Sequence, residues 1–107
     1  MLPALIAVGL ADKARPPIRL IVARALQANA SAAILAHNHP SGAVEASESD
    51  RLFTEDVFAA LNPVGVTLLD HIIIAADSVF SFADSGVMGE IVLASTAGQR
   101  PHFRGNP

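Results

Sequence analysis

The chain has 107 residues, of which 51% are hydrophobic, 16% are charged and none is cysteine, a composition that fits one globular domain with an aliphatic core. The absence of cysteine excludes a disulfide scaffold, an iron–sulfur cluster, a thiolate zinc site and a cysteine nucleophile, so any transition metal must be bound by His, Asp or Glu. The net charge of −3 provides no broad positive surface for nucleic acid.

Strand and helix patterns alternate along the first half of the chain. Residues 2–11 form a short apolar run that predicts a buried strand. In residues 17–28, apolar side chains recur at helical spacing, which predicts an amphipathic helix with its two arginines on the solvated face. Residues 32–36 are a second apolar run, and they open into the polar, turn-forming segment HNHPSG at 37–42.

The second half begins with a further helix signal. Ser47 can cap a helix that continues to about Leu61, where Asn62 and Pro63 stop it. Residues 66–76 are rich in β-branched side chains and predict a strand, which a turn connects to a hairpin strand at 79–82.

The order of these elements, β-α-β-loop-α-β-β, indicates an α/β domain over residues 1–94. Residues 87–93 are apolar without a decisive period, and residues 95–107 are expected to form a flexible tail. No apolar run approaches the roughly 20 residues of a membrane helix, and the apolar start lacks the features of a signal peptide. We therefore expect a cytoplasmic protein.

His37 and His39 form an H-x-H pair at the end of the second apolar run. If the strand extends to His39, its period of two places both imidazoles on one face, where they can converge on one ion. Asp50 shares a helix face with the apolar Phe53 and Val57, so its carboxylate points inward and needs a cation or hydrogen bonds. Two imidazoles and a carboxylate suit zinc and leave one position for water.

A second interpretation of these residues stays open from spacing alone. Ser47 and Asp50 stand three residues apart, as in a capping box with Asp in place of the usual Glu or Gln. A short H-x-H pair also occurs often without a metal. Spacing by itself does not choose between a metal site and a helix cap.

The complete pattern, H-x-H-P followed by six residues and S-x-x-D, resembles the JAMM metal-binding signature of JAB/MPN domains. More narrowly, SAAILAHNHPSG at 31–42 and LLDHIII at 68–74 are similar to the bacterial RadC family. The similarity extends over about residues 17–88, and four residue types at fixed offsets make it specific.

This resemblance implies a three-layer α/β fold in which helices flank a curved mixed sheet. It also implies one zinc ion held by His37, His39 and Asp50, with Ser47 stabilising the oxyanion that forms when water attacks an amide or isopeptide carbonyl.

Four further residues belong to the similar blocks. Pro40 and Gly42 would shape the loop that presents the metal. Asp70 and His71 would fix a loop or hydrogen-bond a metal ligand rather than bind the metal. By strand parity, His71 is expected on the same face as Leu69 and Ile73.

Active domains of this kind also need a glutamate, upstream of the first histidine, that acts as the general base. This chain has no Glu before Glu45, and Asp12 is the only carboxylate in its first 36 residues. Either Asp12 serves from a shorter side chain, or the strand that carries the glutamate is missing. Loss of the base costs on the order of a hundredfold to ten-thousandfold in rate.

The resemblance predicts a zinc-dependent hydrolase of the metallopeptidase or isopeptidase type, acting on a peptide or isopeptide-like substrate. The alternative is a catalytically impaired metal-binding or scaffold module that lacks the upstream glutamate. A missing strand would also leave an exposed sheet edge through which homo-oligomers can form. The family also carries an association with DNA repair, but the acidic charge argues against DNA binding by this domain alone.

Overall fold

The computed structural model of the protein describes residues 4–10, 15–39 and 47–96. Its strands are β1 (Ala4–Leu10), β2 (Ala30–Asn38), β3 (Thr67–Ile74) and β4 (Val79–Ser81). Its helices are α1 (Ile18–Gln27), α2 (Glu48–Leu61), α3 (Phe82–Ser85) and α4 (Val87–Thr96), and a 3-10 turn at Asn62–Val64 follows α2.

The four strands form one sheet in the order β1-β2-β3-β4. The first three strands run parallel, and β4 returns antiparallel to β3. Each parallel step needs a crossover connection, and α1 and α2 supply the two that this sheet requires. The predicted fold class, an α/β mixed sheet flanked by helices as in JAB/MPN domains, is confirmed.

The ends of α1 and α2 follow from local chemistry. Pro17 precedes the first residue of α1, where its fixed φ fits the helix entry. Asn29, just beyond α1, has a φ of 52°, a left-handed conformation that Asn tolerates better than most residues. Ser47 caps α2, and after the 3-10 turn Gly65 takes a φ of 82° that leads the chain into β3.

One face of the sheet carries the hydrophobic core. Alternate residues of β2 are buried there, and Ile21 and Ala25 of α1 pack against this face. On the opposite face, Ile34 and Ala36 are only half-buried, and Leu5 of β1 is 56% exposed. Among the described strands, β1 pairs only with β2 and so forms one edge of the sheet.

β3 contains an irregularity that the sequence pattern did not predict. Ala33 of β2 pairs with Leu68, but the next residue of β2 pairs with Asp70, so Leu69 is skipped. Leu69 is 47% exposed, whereas Leu68 and His71 are buried. The expectation that Leu69 and His71 share a face is wrong, because an extra residue in one strand reverses the alternation of side chains.

The hairpin ends one residue earlier than predicted. Phe82 begins α3 instead of ending β4, because the Ser81 hydroxyl accepts a hydrogen bond from the Asp84 backbone N–H at 3.0 Å and caps the helix. Gly86, with a φ of 89°, then separates α3 from α4.

The apolar segment at 87–93, which periodicity left undecided, belongs to α4. This helix continues to Thr96, and residues 97–107 of the predicted tail lie outside the described residues. Within the described part of the chain, none of the helices has the length and apolar character needed to cross a membrane.

Candidate metal site

His37 and His39 lie at the carboxyl end of β2. His37 is on the core face and is 1% exposed. His39 follows the last residue of β2, and its backbone N–H donates to the carbonyl oxygen of Ile74 at 2.8 Å, so strand pairing continues one residue further. The two imidazole rings meet edge to face, with centroids 4.3 Å apart.

Asp50 brings a carboxylate to these imidazoles from the first turn of α2. Its side chain is 1% exposed and lies on the buried helix face together with Phe53 and Val57. Asp50 Oδ1 is 3.4 Å from His37 Nδ1, and Asp50 Oδ2 is 3.9 Å from His39 Nε2. The structure thus brings together three residues, His37, His39 and Asp50, which form the ligand cluster.

The ligand cluster can hold a metal ion. One ligand atom from each residue lies within 4.8 Å of the other two. Ligand atoms that share a tetrahedral zinc at about 2.0–2.1 Å are about 3.4 Å from one another, so small side-chain movements would close the shell. Two imidazoles and a carboxylate suit zinc as well as other divalent transition metals.

The carboxylate of Asp50 also completes a helix cap. The backbone N–H of Ser47 donates to Asp50 Oδ2 at 3.0 Å, and the backbone N–H of Asp50 donates to Ser47 Oγ at 3.0 Å. The capping and metal-binding interpretations are therefore compatible, since the cap fixes the direction in which the carboxylate points. Because Ser47 Oγ accepts this bond, its own hydroxyl proton can be donated to another group.

Arg15 is a component of the site that no sequence motif reveals. Its Nη2 forms an ion pair with Asp50 Oδ1, and its Nη1 donates to the Ser49 carbonyl oxygen at 3.0 Å and to Ser49 Oγ at 3.1 Å. The guanidinium carbon lies 5.0 Å from the centre of the Phe53 ring. A separation of 35 residues from Asp50 and the lack of any motif around Arg15 explain why no pattern revealed it.

The surroundings of Asp50 keep its carboxylate ionised. Burial by itself raises the pKa of Asp50, but hydrogen bonding from Ser47 and the charges of Arg15 and His37 outweigh burial and hold this pKa below its usual value. A carboxylate that is already ionised can bind a cation without releasing a proton.

His71 is linked to the ligand cluster through Thr54. Burial lowers the pKa of His71 to about 4, so its ring is neutral at pH 7. Thr54 Oγ1 donates to the backbone carbonyl of Asp50 at 2.7 Å and also lies 2.7 Å from His71 Nδ1. Since the hydroxyl has one proton, the second contact is an N–H donation from His71 Nδ1 to Thr54 Oγ1. The ring of His71 stacks on Phe82, with centroids 4.6 Å apart.

Asp70 ties β3 to the hairpin and α3. Its Oδ1 accepts hydrogen bonds from the backbone N–H groups of His71 at 2.8 Å and Ala83 at 2.9 Å. Its Oδ2 accepts one from Ser81 Oγ at 2.6 Å. All three donors are neutral, and the structure places Asp70 and His71 outside the group of residues that could bind a metal.

Comparison with known proteins agrees with the sequence motifs. A family model described as the RadC-like JAB domain matches residues 3–87, which is most of the chain. The chain belongs to this family.

Similar proteins carry the UPF0758 designation. The UPF0758 protein YeeS of Escherichia coli (strain K12) is 49% identical over 70 residues, which cover 65% of this chain and 47% of the relative. The UPF0758 protein RSc2444 of Ralstonia nicotianae is 48% identical over 80 residues, which cover 75% of this chain and 36% of the relative. The chain spans less than half the length of these relatives, and their names state no activity.

Three residues that the RadC resemblance singled out, Asp12, Pro40 and Gly42, lie outside the described residues. Their predicted roles stay predictions. Among the residues that the structure describes, the ligand cluster of this RadC-like domain includes only one carboxylate, that of Asp50.

Proposed function

We propose that this RadC-like JAB domain binds one zinc ion and hydrolyses an amide or isopeptide bond. The observation that carries the proposal is the ligand cluster, in which two imidazoles and one carboxylate converge where β2 ends and α2 begins. Bound zinc would supply Lewis-acid activation of water and of the substrate carbonyl.

The ligand cluster would offer three donor atoms to a metal ion. In this proposal one ring nitrogen of His37 and one of His39 bind the metal. Asp50 offers an ionised oxygen because its pKa is lowered by its neighbours. A single formal negative charge among the three ligands leaves a divalent ion with net positive charge, which favours Lewis-acid chemistry.

In this proposal Ser47 stabilises the negative charge that develops on the substrate. Its Oγ accepts the N–H of Asp50, so the hydroxyl proton can be donated to a carbonyl oxygen that gains negative charge. The N-terminal end of α2 also favours negative charge at this position.

Thr54 and His71 act as positioning residues in this proposal. The Thr54 hydroxyl binds the backbone carbonyl of Asp50, and the His71 ring holds that hydroxyl from the other side. This chain of contacts fixes the first turn of α2 relative to β3, and therefore the position of the Asp50 carboxylate.

The second candidate function is a metal-binding or scaffold module without turnover. It is favoured because the ligand cluster has one carboxylate among the described residues, that of Asp50, whereas hydrolysis also needs a general base. In either case we place the domain in the cytoplasm, since a cysteine-free chain needs no oxidising compartment.

Metal content and turnover distinguish these possibilities. Elemental analysis of the purified protein should find about one zinc per chain, and the double variant His37→Ala with His39→Ala should lose it. His102→Ala, which removes an imidazole outside the motif, is the matched control. Equal zinc in all three proteins would refute the site.

A peptidase or isopeptidase assay on the zinc-loaded protein then separates hydrolase from scaffold. Turnover that disappears in Asp50→Ala supports the hydrolase. Stoichiometric zinc without turnover, under conditions where the protein is folded, supports the scaffold module.

A further inference from the structure

A cavity of about 370 Å³ is lined by residues of β1, of α1 and of the segment before α1 that contains Arg15. Val8 of β1 and Leu20 and Ile21 of α1 give it an apolar wall. Arg15 and Arg24 line the same space. We refer to it as the β1–α1 cavity.

The β1–α1 cavity has a cationic character. Both of its charged lining residues are arginines, and none of the described residues that line it is acidic. The side chain of Arg24 is exposed, so its guanidinium can reach a ligand from solvent. An apolar wall next to two guanidinium groups suits a ligand that combines aliphatic side chains with a carboxylate.

Arg15 connects the cavity to the ligand cluster. It lines the cavity and also forms the ion pair with Asp50 Oδ1. A divalent ion in the ligand cluster would share the single negative charge of Asp50, and the positive charge of Arg15 would then lack a full counter-charge. An anionic ligand group in the cavity would supply it.

β1 is an edge strand among the described strands, which favours an extended ligand. On this edge β1 pairs with no described strand, so half of its backbone N–H and C=O groups face outward. Gly9, in the wall of the cavity, has open space where a side chain would stand. An extended peptide can therefore approach the β1 backbone closely and add to the sheet.

We propose that the β1–α1 cavity binds an extended acidic peptide segment, with a carboxylate of the segment paired to Arg15 and Arg24. The adjoining peptide bond then lies beside the ligand cluster, and this last step rests on the proposed hydrolytic function. The substrate class would be an acidic, partly aliphatic peptide rather than a neutral or basic one.

Binding by the metal-free protein tests the cavity separately from catalysis. The probes are two fluorescein-labelled hexapeptides of alternating aliphatic and polar residues, one with two glutamates and the other with glutamines in their place. Fluorescence anisotropy in EDTA should show about fivefold to tenfold tighter binding of the acidic peptide. Arg24→Gln should abolish this preference, whereas Arg19→Gln, an exposed residue of the same helix outside the cavity lining, should keep it.

Equal affinity for the two peptides, or equal behaviour of Arg24→Gln and Arg19→Gln, would overturn the proposal. Sedimentation velocity at the same concentrations provides a second test, because a dimer that displaces the peptide would show that a second copy occupies the β1 edge. The proposed hydrolytic function can fail independently: it fails if the protein binds no zinc, even where the acidic peptide binds in EDTA.

Adding zinc tests whether Arg15 couples the β1–α1 cavity to the ligand cluster. With zinc bound, the acidic peptide should bind more tightly than in EDTA, and the affinity of the glutamine peptide should not change. In Arg15→Gln the gain with zinc should be lost. A zinc effect of equal size on both peptides would contradict the role assigned to Arg15.

Discussion

Asp50 and Asp70 are two carboxylates of the same domain with opposite surroundings. Among the described residues, the groups that donate hydrogen bonds to Asp70 are neutral, namely two backbone N–H groups and the hydroxyl of Ser81. These bonds join β3, β4 and α3, so Asp70 is a structural clamp within the fold.

Asp50 faces an arginine and two imidazole rings instead. It accepts one backbone hydrogen bond at the start of α2, pairs with Arg15 and lies within 4 Å of both His37 and His39. Asp50 is buried and Asp70 is half-buried. The comparison teaches that the neighbours of a carboxylate indicate its role: neutral hydrogen-bond donors indicate a structural role, and imidazole rings together with a cation indicate a candidate ligand.

The largest expected effect is a difference in zinc affinity between variants of the two carboxylates. Asp50→Asn should weaken zinc binding by more than about 100-fold, because residues that merely contact a ligand already account for 10-fold to 100-fold. Asp70→Asn should leave zinc affinity within about threefold of the unmodified protein, since its bonds go to the hairpin. Isothermal titration calorimetry measures both. A similar loss of zinc affinity in the two variants would contradict the different roles of Asp50 and Asp70.

The free energy of unfolding should depend on pH through the protonation of His71. Its folded pKa of about 4 lies below the model value of 6.5, so between these values the unfolded chain binds a proton that the folded chain does not. The free energy of unfolding of metal-free protein should therefore fall by about 3 kcal/mol as the pH drops from 6.5 to 4, and the contribution should be complete above pH 6.5.

Urea unfolding in EDTA at several pH values provides this measurement. His71→Asn, which keeps a donor for Thr54 but cannot take up a proton in this range, should flatten the pH dependence. His102→Ala should not. If His71→Asn follows the same pH curve as the unmodified protein, the buried neutral state of His71 is wrong.

Removing the helix cap next to Asp70 should affect stability alone, whereas removing the cap next to Asp50 should affect both stability and turnover. Ser81→Ala removes the hydrogen bond to Asp70 and the cap of α3, and should lower the free energy of unfolding by about 2 kcal/mol without changing zinc affinity. Ser47→Ala removes one bond of the α2 cap and should cost about 1 kcal/mol. In addition, it should lower the turnover of an active protein. Chemical denaturation with a parallel rate assay would detect any reversal of this pattern.

The smallest effect concerns Arg15. Removing its charge in Arg15→Gln should strengthen zinc binding about fivefold, because a cation next to the ligand cluster opposes a second cation by about 1 kcal/mol. Arg15→Lys keeps the charge and should stay close to the unmodified protein. Weaker zinc binding in Arg15→Gln would mean that Arg15 orients Asp50 more than it competes with the metal.

Much of the fold follows from local sequence. The apolar runs, the helix spacing at 17–28 and the cap at Ser47 each reflect interactions between residues close in the chain, and the structure has elements at these places. The skipped Leu69 could not be predicted, because the register between two strands depends on packing across the sheet. The sequence of 87–93 does not decide between helix and strand because five of its seven residues are hydrophobic, which hides the helical period.

The candidate site likewise combines residues that are close in the chain with contacts that only the tertiary fold creates. His37, His39, Ser47 and Asp50 lie within 14 residues, so a motif contains them all. Arg15 reaches Asp50 only through the tertiary fold, and Thr54 links Asp50 to His71 across 17 residues, so neither contact has a local pattern.

The histidine rings provide the most direct test of the ligand cluster. The chain has four histidines, and long-range proton–nitrogen NMR spectra report the ring nitrogens of each one during a zinc titration. We expect one nitrogen of His37 and one of His39 to shift and to saturate at one equivalent of zinc, while His71 keeps its Nδ1–H form and His102 does not change. Zinc-induced shifts at His71 or His102, with the rings of His37 and His39 unaffected, would contradict the account.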